Sequence, residues 1–186
     1  MLQVLSNIVT AFGLSASAGL NAYIPLLIVA LLARFTGLIH LKPPFGALTN
    51  LWVVAVLVIL VLIEALVDKI PAVDTVNNLI QTLVRPAAGA ILFAASSNVV
   101  SNVHPVLAIV CGILVAGTVH AAKSTARPLI TVATAGAGDP VVSTAEDVVS
   151  AVVSLLSILI PVLALLCIVI GVLMIVRLLK SGRARA

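Results

Sequence analysis

"SASAGLNAYIP", residues 15–25, lies inside an uncharged run from Met1 to Ala33. Its reading decides the architecture of the N-terminal part of the chain. The stretch is small and polar, is interrupted by Gly19 and ends in Pro25. It reads as a cleavage site, a helix-packing seam or a break in a membrane helix. The "ASA" at 16–18 resembles a signal-peptidase site, but no Lys or Arg precedes it where a basic n-region is expected, so cleavage is not expected. Gly13/Ser17 and Ser15/Gly19 are small-xxx-small pairs that let helices approach closely. Pro25 cannot bond the Asn21 carbonyl four residues back. From about Leu5 to Arg34 the segment has about 30 residues, or about 45 Å as a helix, against the roughly 20 residues that a simple crossing needs. It must tilt, protrude or break. Asn21 is the residue of the stretch expected to reach a functional site.

Composition sets the class. The 186 residues are 62% hydrophobic and 9% charged, far from the roughly 25% charged of soluble domains. The expectation is an all-α, polytopic transmembrane helical bundle forming a single domain. Cys111 and Cys167 lie in apolar runs and read as small core residues rather than a disulfide or metal pair. The net charge of +4 comes from Arg177, Lys180, Arg183 and Arg185; the other basic residues equal the acids in number. The basic excess therefore marks a cytoplasmic tail, not a nucleic-acid surface.

About five membrane segments are expected, at 5–34, 51–68, 75–95, 106–123 and 143–180. "LKPPFG" (41–46) and "ATAGAGDP" (133–140) read as loops. The third segment spans only if it extends back through Arg85; otherwise it is half-length or re-entrant. Pro161 interrupts the last. Five crossings with an external N-terminus put Arg34, Lys42 and the tail on the cytoplasmic side. Segments two and four both turn charged near their ends and stop at a proline, a weak inverted-type internal repeat of the sort that marks transporter sites.

All six acids fall between Glu64 and Asp147, with Lys69, Arg85, Lys123 and Arg127 in the same window. Glu64 and Asp68 share one helix face; His120, Lys123 and Arg127 share another. A charge at the centre of a membrane helix costs about 2.5–3.5 kcal/mol on insertion scales, so these groups pair across the bundle or line a wet cavity. Bland roles exist beside the functional ones. Asp74 reads as a helix N-cap, and Ser143 with Glu146 as a capping box. Asp68 and Lys69 have an interfacial helix end as their bland reading, and Arg127 a snorkelling side chain. Arg85, amid "IQTLVRPAAGAILFAA", needs a carboxylate if its segment spans; Glu64 or Glu146 is the candidate. No cofactor is implied. No hydrolase, phosphate-loop or metalloprotease motif appears, and one histidine beside a lysine is a poor metal ligand set.

"SAGLNAYIPLL" (17–27), "EALVDKIPAVD" (64–74), "VRPAAGA" (84–90), "HAAKSTAR" (120–127) and "STAED" (143–147) occur in this order over most of the chain. The set resembles a bacterial integral membrane family, domain-of-unknown-function 4126. That resemblance implies a small multi-pass protein of the bacterial inner membrane and brings no activity with it.

The candidate site comprises Asn21, Glu64, Asp68, Lys69, Arg85, His120, Lys123, Arg127, Glu146 and Asp147. The expected function is transport or permeation of a small polar, ionic or lipid-like substrate through an intramembrane charge network, not enzymatic catalysis. The alternative is a scaffold whose charge pairs lock helices. A lipid enzyme using His120 with Asp68 or Asp147 has the least support. Expected partners are membrane lipids, a small-molecule or ion substrate and a second copy in a homodimer, with no nucleic acid.

Overall fold

The computed structural model describes residues 2–36, 38–68, 71–96, 104–159, 167, 170–171 and 174. Six helices account for almost all of the connected part: α1 (Leu2–Leu20), α2 (Tyr23–Phe35), α3 (Leu51–Val67), α4 (Pro71–Ala95), α5 (Pro105–Thr134) and α6 (Asp139–Leu159). A 3₁₀ turn, Phe45–Thr49, follows the Pro43–Pro44 pair. No strand occurs among the described residues.

Local chemistry sets several boundaries. The Asn50 side chain accepts from the Trp52 N–H and starts α3. His104 accepts from the Val106 N–H, with Pro105 at the first helical position where no N–H is missed. Ala135 and Gly136 adopt positive φ (51° and 82°) and end α5. The "GAGD" turn then reverses the chain into α6.

The surface is inverted relative to a water-soluble protein. Trp52, Leu83 and Val132 are at least 78% exposed, whereas Arg85, Gln81, Glu64, Asn21 and Asp68 are among the largest fully buried side chains. Apolar side chains outside and polar groups gathered inside suit hydrocarbon as solvent. Residues 77–95, α5 and α6 are long and apolar enough to cross a membrane; α2 and α3 are shorter apolar helices. The chain is a membrane protein.

Close contacts are made through small residues. A Cβ on Gly112 would lie 2.5 Å from the Gly89 carbonyl oxygen and 2.6 Å from Ala90 Cα, so α4 and α5 cross backbone to backbone. Ser15 donates to the Gly89 carbonyl at 2.8 Å. Ser17 lies 2.6 Å from Ser154 Oγ and 2.9 Å from Ser150 Oγ, stitching α1 to α6. Most of the opening stretch is therefore a packing seam, as its small-residue spacing predicts.

Three expectations need correction, and one open alternative is decided. The first segment does break, but it then turns back. Ser6, Asn7, Thr10 and Leu14 of α1 line the same cavity, about 210 Å³, as Val29, Leu38, Ile39 and Leu41. In a continuous helix Leu14 and Val29 would be about 22 Å apart. The start of α1 and the Arg34–Lys42 region therefore lie at one end of the bundle, not at the two ends that a single continuous helix would reach. The third segment takes the longer of its two readings, since α4 is one helix of 25 residues that runs back through Arg85, about 37 Å long. It continues through Pro86, whose ring rests in the notch at Gly117, 3.8 Å from where a Cβ would be. α5 likewise passes Pro128 to Thr134 rather than stopping near Lys123. Finally, α6 begins at Asp139 and α4 at Pro71, so Ser143 and Asp74 lie inside helices and are not N-caps. Lys69, the 97–103 turn, Pro161 and the basic tail lie outside the described residues.

Candidate functional site

The break itself is built by Asn21. Its side-chain oxygen accepts from the Tyr23 and Ile24 N–H groups, both at 3.0 Å, so it caps α2 as an N-terminal Asn does. Ile24 N–H would otherwise bond the Leu20 carbonyl. That carbonyl is thereby released, and the Lys123 ammonium takes it at 3.0 Å. The Asn21 amide then donates to Asp147 Oδ1 at 2.9 Å. The sequence pointed to a freed Asn21 carbonyl opposite Pro25; the carbonyl bound by Lys123 is that of Leu20, one residue earlier.

Around this break converge side chains from the other four helices. From α3 and its C-terminal end come Glu64 and Asp68, both at most 2% exposed. From α4 comes Arg85, fully buried, which bonds Glu64 Oε1 at 3.0 Å and lies 3.9 Å from Asp68. From α5 come His120, Lys123 and Arg127. From α6 come Glu146 and Asp147. Lys123 and Arg127 each sit 2.9 Å from Glu146 Oε2 and 3.6 Å from Asp68 Oδ2. His120 lies near the middle of the 30-residue α5, so the cluster is flanked by helix on both sides rather than perched on a tip.

Two arrangements stand out chemically. Asp68 Oδ2 lies between three cations at 3.6–3.9 Å, and its other oxygen accepts from Asn77 at 2.8 Å. Lys123 bridges the α1 carbonyl, Glu146 and Asp68 at once. Each of these groups can change partners without leaving the cluster. Arg85 can only donate, so at 3.1 Å His120 Nδ1 must be the acceptor, which places the ring proton on Nε2, 3.2 Å from Thr82 Oγ1.

Nine of the ten sequence candidates thus meet in one cluster; Lys69 lies outside the described residues. The pairing of Arg85 resolves to Glu64, and Glu146 pairs with Lys123 and Arg127 instead of capping a helix. Sequence reasoning missed Asn77, Gln81 and Thr82. A signal was present: Asn77, Gln81 and Arg85 recur every four residues, which puts them on one face of α4. Asp139, also buried, bonds Thr131 at 2.9 and 3.0 Å and secures the α5–α6 turn. Among the described residues no group of three or more His, Cys, Asp or Glu side chains could hold a metal ion.

Residues 8–181 match the family described as "Domain of unknown function (DUF4126)". No curated protein and no solved structure matches the chain. The family match takes in the helix break and every member of the charge cluster. The chain belongs to the domain-of-unknown-function 4126 family.

Proposed function

We propose that the protein is a small transporter or permeation protein for a polar or ionic solute, with the charge cluster as its site. The observation carrying this reading is the meeting of an interrupted helix with an exchangeable ion-pair network in the interior of a membrane bundle. Interrupted helices that offer freed backbone groups to a buried site are how membrane transporters bind ions and substrates. Intramembrane ionisable groups are costly and mark pathways more often than they add stability. Exchange of Lys123 and Arg127 between Asp68 and Glu146 would accompany opening, because Lys123 also holds the Leu20 carbonyl at the break. His120 turns to Arg85 and Thr82, which favours binding over acid–base catalysis.

The setting of this reading is a bacterial inner membrane. Positive-inside placement of Arg34 and Lys42, with the basic tail, puts the 36–50 connection in the cytoplasm. The start of α1 then faces the same side. A homodimer would supply the further wall that so short a chain needs around a path.

A specific observation favours a second reading. Serine hydroxyls tie α1 to α4 and α6, and charges tie α3, α4, α5 and α6, as a scaffold would require. Reconstitution into liposomes separates the two. Flux of protons, Na⁺, K⁺, ammonium and phosphate is measured with wild type and with Arg85→Met. Transport predicts flux of at least one probe above protein-free vesicles and its loss in the variant. A scaffold predicts no flux of any probe, with the charge-swapped pair Glu64→Arg/Arg85→Glu restoring the stability lost by either single change.

A further inference from the structure

Two buried acceptors in the cluster lack a proton donor. Glu64 is 2% exposed; its Oε1 is held by Arg85, and its Oε2 has no hydrogen-bond partner. Gln81 is 1% exposed, and its Oε1 has none either. Gln81 stands one turn before Arg85 on the face of α4 that meets Glu64, and its side chain hydrogen-bonds Tyr23 of α2, which leaves Oε1 unpartnered. An ionised carboxylate oxygen and an amide oxygen, both buried without donors, are each expensive. A proton bound to Glu64 Oε2 turns that acceptor into a donor, and the Gln81 carbonyl, one turn along α4 from the arginine that holds Glu64, is a buried acceptor without a donor.

We propose that Glu64 is the protein's proton-binding residue, with Gln81 as the hydrogen-bond acceptor of the protonated carboxyl. This rests on the transport reading for its purpose, and it names the coupled ion as H⁺. The proton comes from water on one side, forms an O–H bond at Oε2, and returns to water on the other side. While Glu64 is ionised, Arg85 is its counter-charge. When it is protonated, Arg85 becomes the cation in excess, and Asp68, 3.9 Å away, is the carboxylate that gains it. Asp68 then loosens its hold on Lys123 and Arg127, which transmits the change to Glu146 and to the Leu20 carbonyl at the helix break. The titratable and charged groups facing Glu64 are Tyr23 from α2, Asp68 of its own helix end, Arg85 from α4 and Lys123 from α5, and His120 reaches it through Arg85. Arg127 from α5 and Glu146 and Asp147 from α6 reach it through Asp68 and Lys123.

Infrared difference spectroscopy of the purified protein, stepped through neutral pH, tests the assignment without any transport assay. A protonated-carboxyl C=O band is expected that disappears on alkalinisation and is absent from Glu64→Gln. In Gln81→Met, which leaves the carboxyl in place, the band should persist and move to higher frequency as its hydrogen bond is lost. A spectrum with no such band, or a band that survives in Glu64→Gln, overturns the assignment. So does a band whose frequency Gln81→Met leaves unchanged. Flux in liposomes is measured on the same preparations. A Glu64 band with no flux of any probe keeps the proton site and removes the transport reading. Flux that is pH-independent and accompanied by no Glu64 band does the reverse.

Discussion

Arg85 and Glu64 make a double-mutant cycle whose outcome follows from their surroundings. Arg85 is fully buried and is the hydrogen-bond donor to Glu64, at 3.0 Å. Arg85→Met therefore leaves Glu64 buried with no hydrogen-bond donor. Glu64→Leu strands Arg85 less, because His120 still accepts from it at 3.1 Å and Asp68 stays 3.9 Å away. Removing one partner of a buried pair costs about 3–5 kcal/mol, whereas replacing both by apolar groups of similar volume is close to neutral. Arg85→Met should fall near the upper end of that range and Glu64→Leu near the lower, about 5 and 3 kcal/mol. The double variant should lie within about 2 kcal/mol of wild type, which leaves a coupling energy well above the few tenths expected of independent sites. The measurement is unfolding in mixed micelles followed by circular dichroism. A carboxylate can escape its cost by taking a proton, so the penalty of Arg85→Met should shrink as pH falls, while that of Glu64→Leu should not. Additive single costs, or a more severe effect from Glu64→Leu than from Arg85→Met, would refute the reasoning.

Three further outcomes are expected. Gly112→Ala should cost about 1–3 kcal/mol in the same unfolding assay, because its Cβ meets the backbone of α4 and no rotamer can relieve that. Gly117→Ala, five residues on, should be neutral or should gain up to about 1 kcal/mol of helix propensity; equal effects would contradict the crossing. Asn21→Ala should lose about 1–2 kcal/mol with the cap. Asn21→Asp keeps the cap acceptor but sets a carboxylate against Asp147, so its defect should appear at neutral pH and recede on acidification; a pH-independent defect would argue against that contact. Single cysteines at Ser6 and Leu38, with Cys111 and Cys167 replaced by serine, should label from one side of a sealed membrane and a cysteine at Ala137 from the other. Labelling of Ser6 and Leu38 from opposite sides would refute the reversal at Asn21.

The amino-acid sequence determined the solvent and the inventory. Composition alone demanded hydrocarbon around the helices. The rarity of charge made each ionisable side chain conspicuous, and the cost of burying one required that they pair. Helix spacing then assigned Glu64 with Asp68, and His120 with Lys123 and Arg127, to shared faces. Excess length and the Asn21–Pro25 pattern located the break. What periodicity could not supply was direction. Whether a broken helix continues or doubles back depends on what its two halves pack against. Here α1 lies against α4, α5 and α6, while α2 packs mainly on α3 and α6. Pro128 misled for the same reason. Pro86 and Pro128 each remove one backbone bond, a local cost that the packing of α4 on α5, notched at Gly117, Gly112 and Gly89, overrides. Apparent caps at Asp74 and Ser143 failed because the helices start earlier than their motifs. The choice of Glu64 for Arg85, and of the Leu20 carbonyl for Lys123, was likewise tertiary. Candidate partners were legible from charge, but only the register between helices brought one of them to 3 Å.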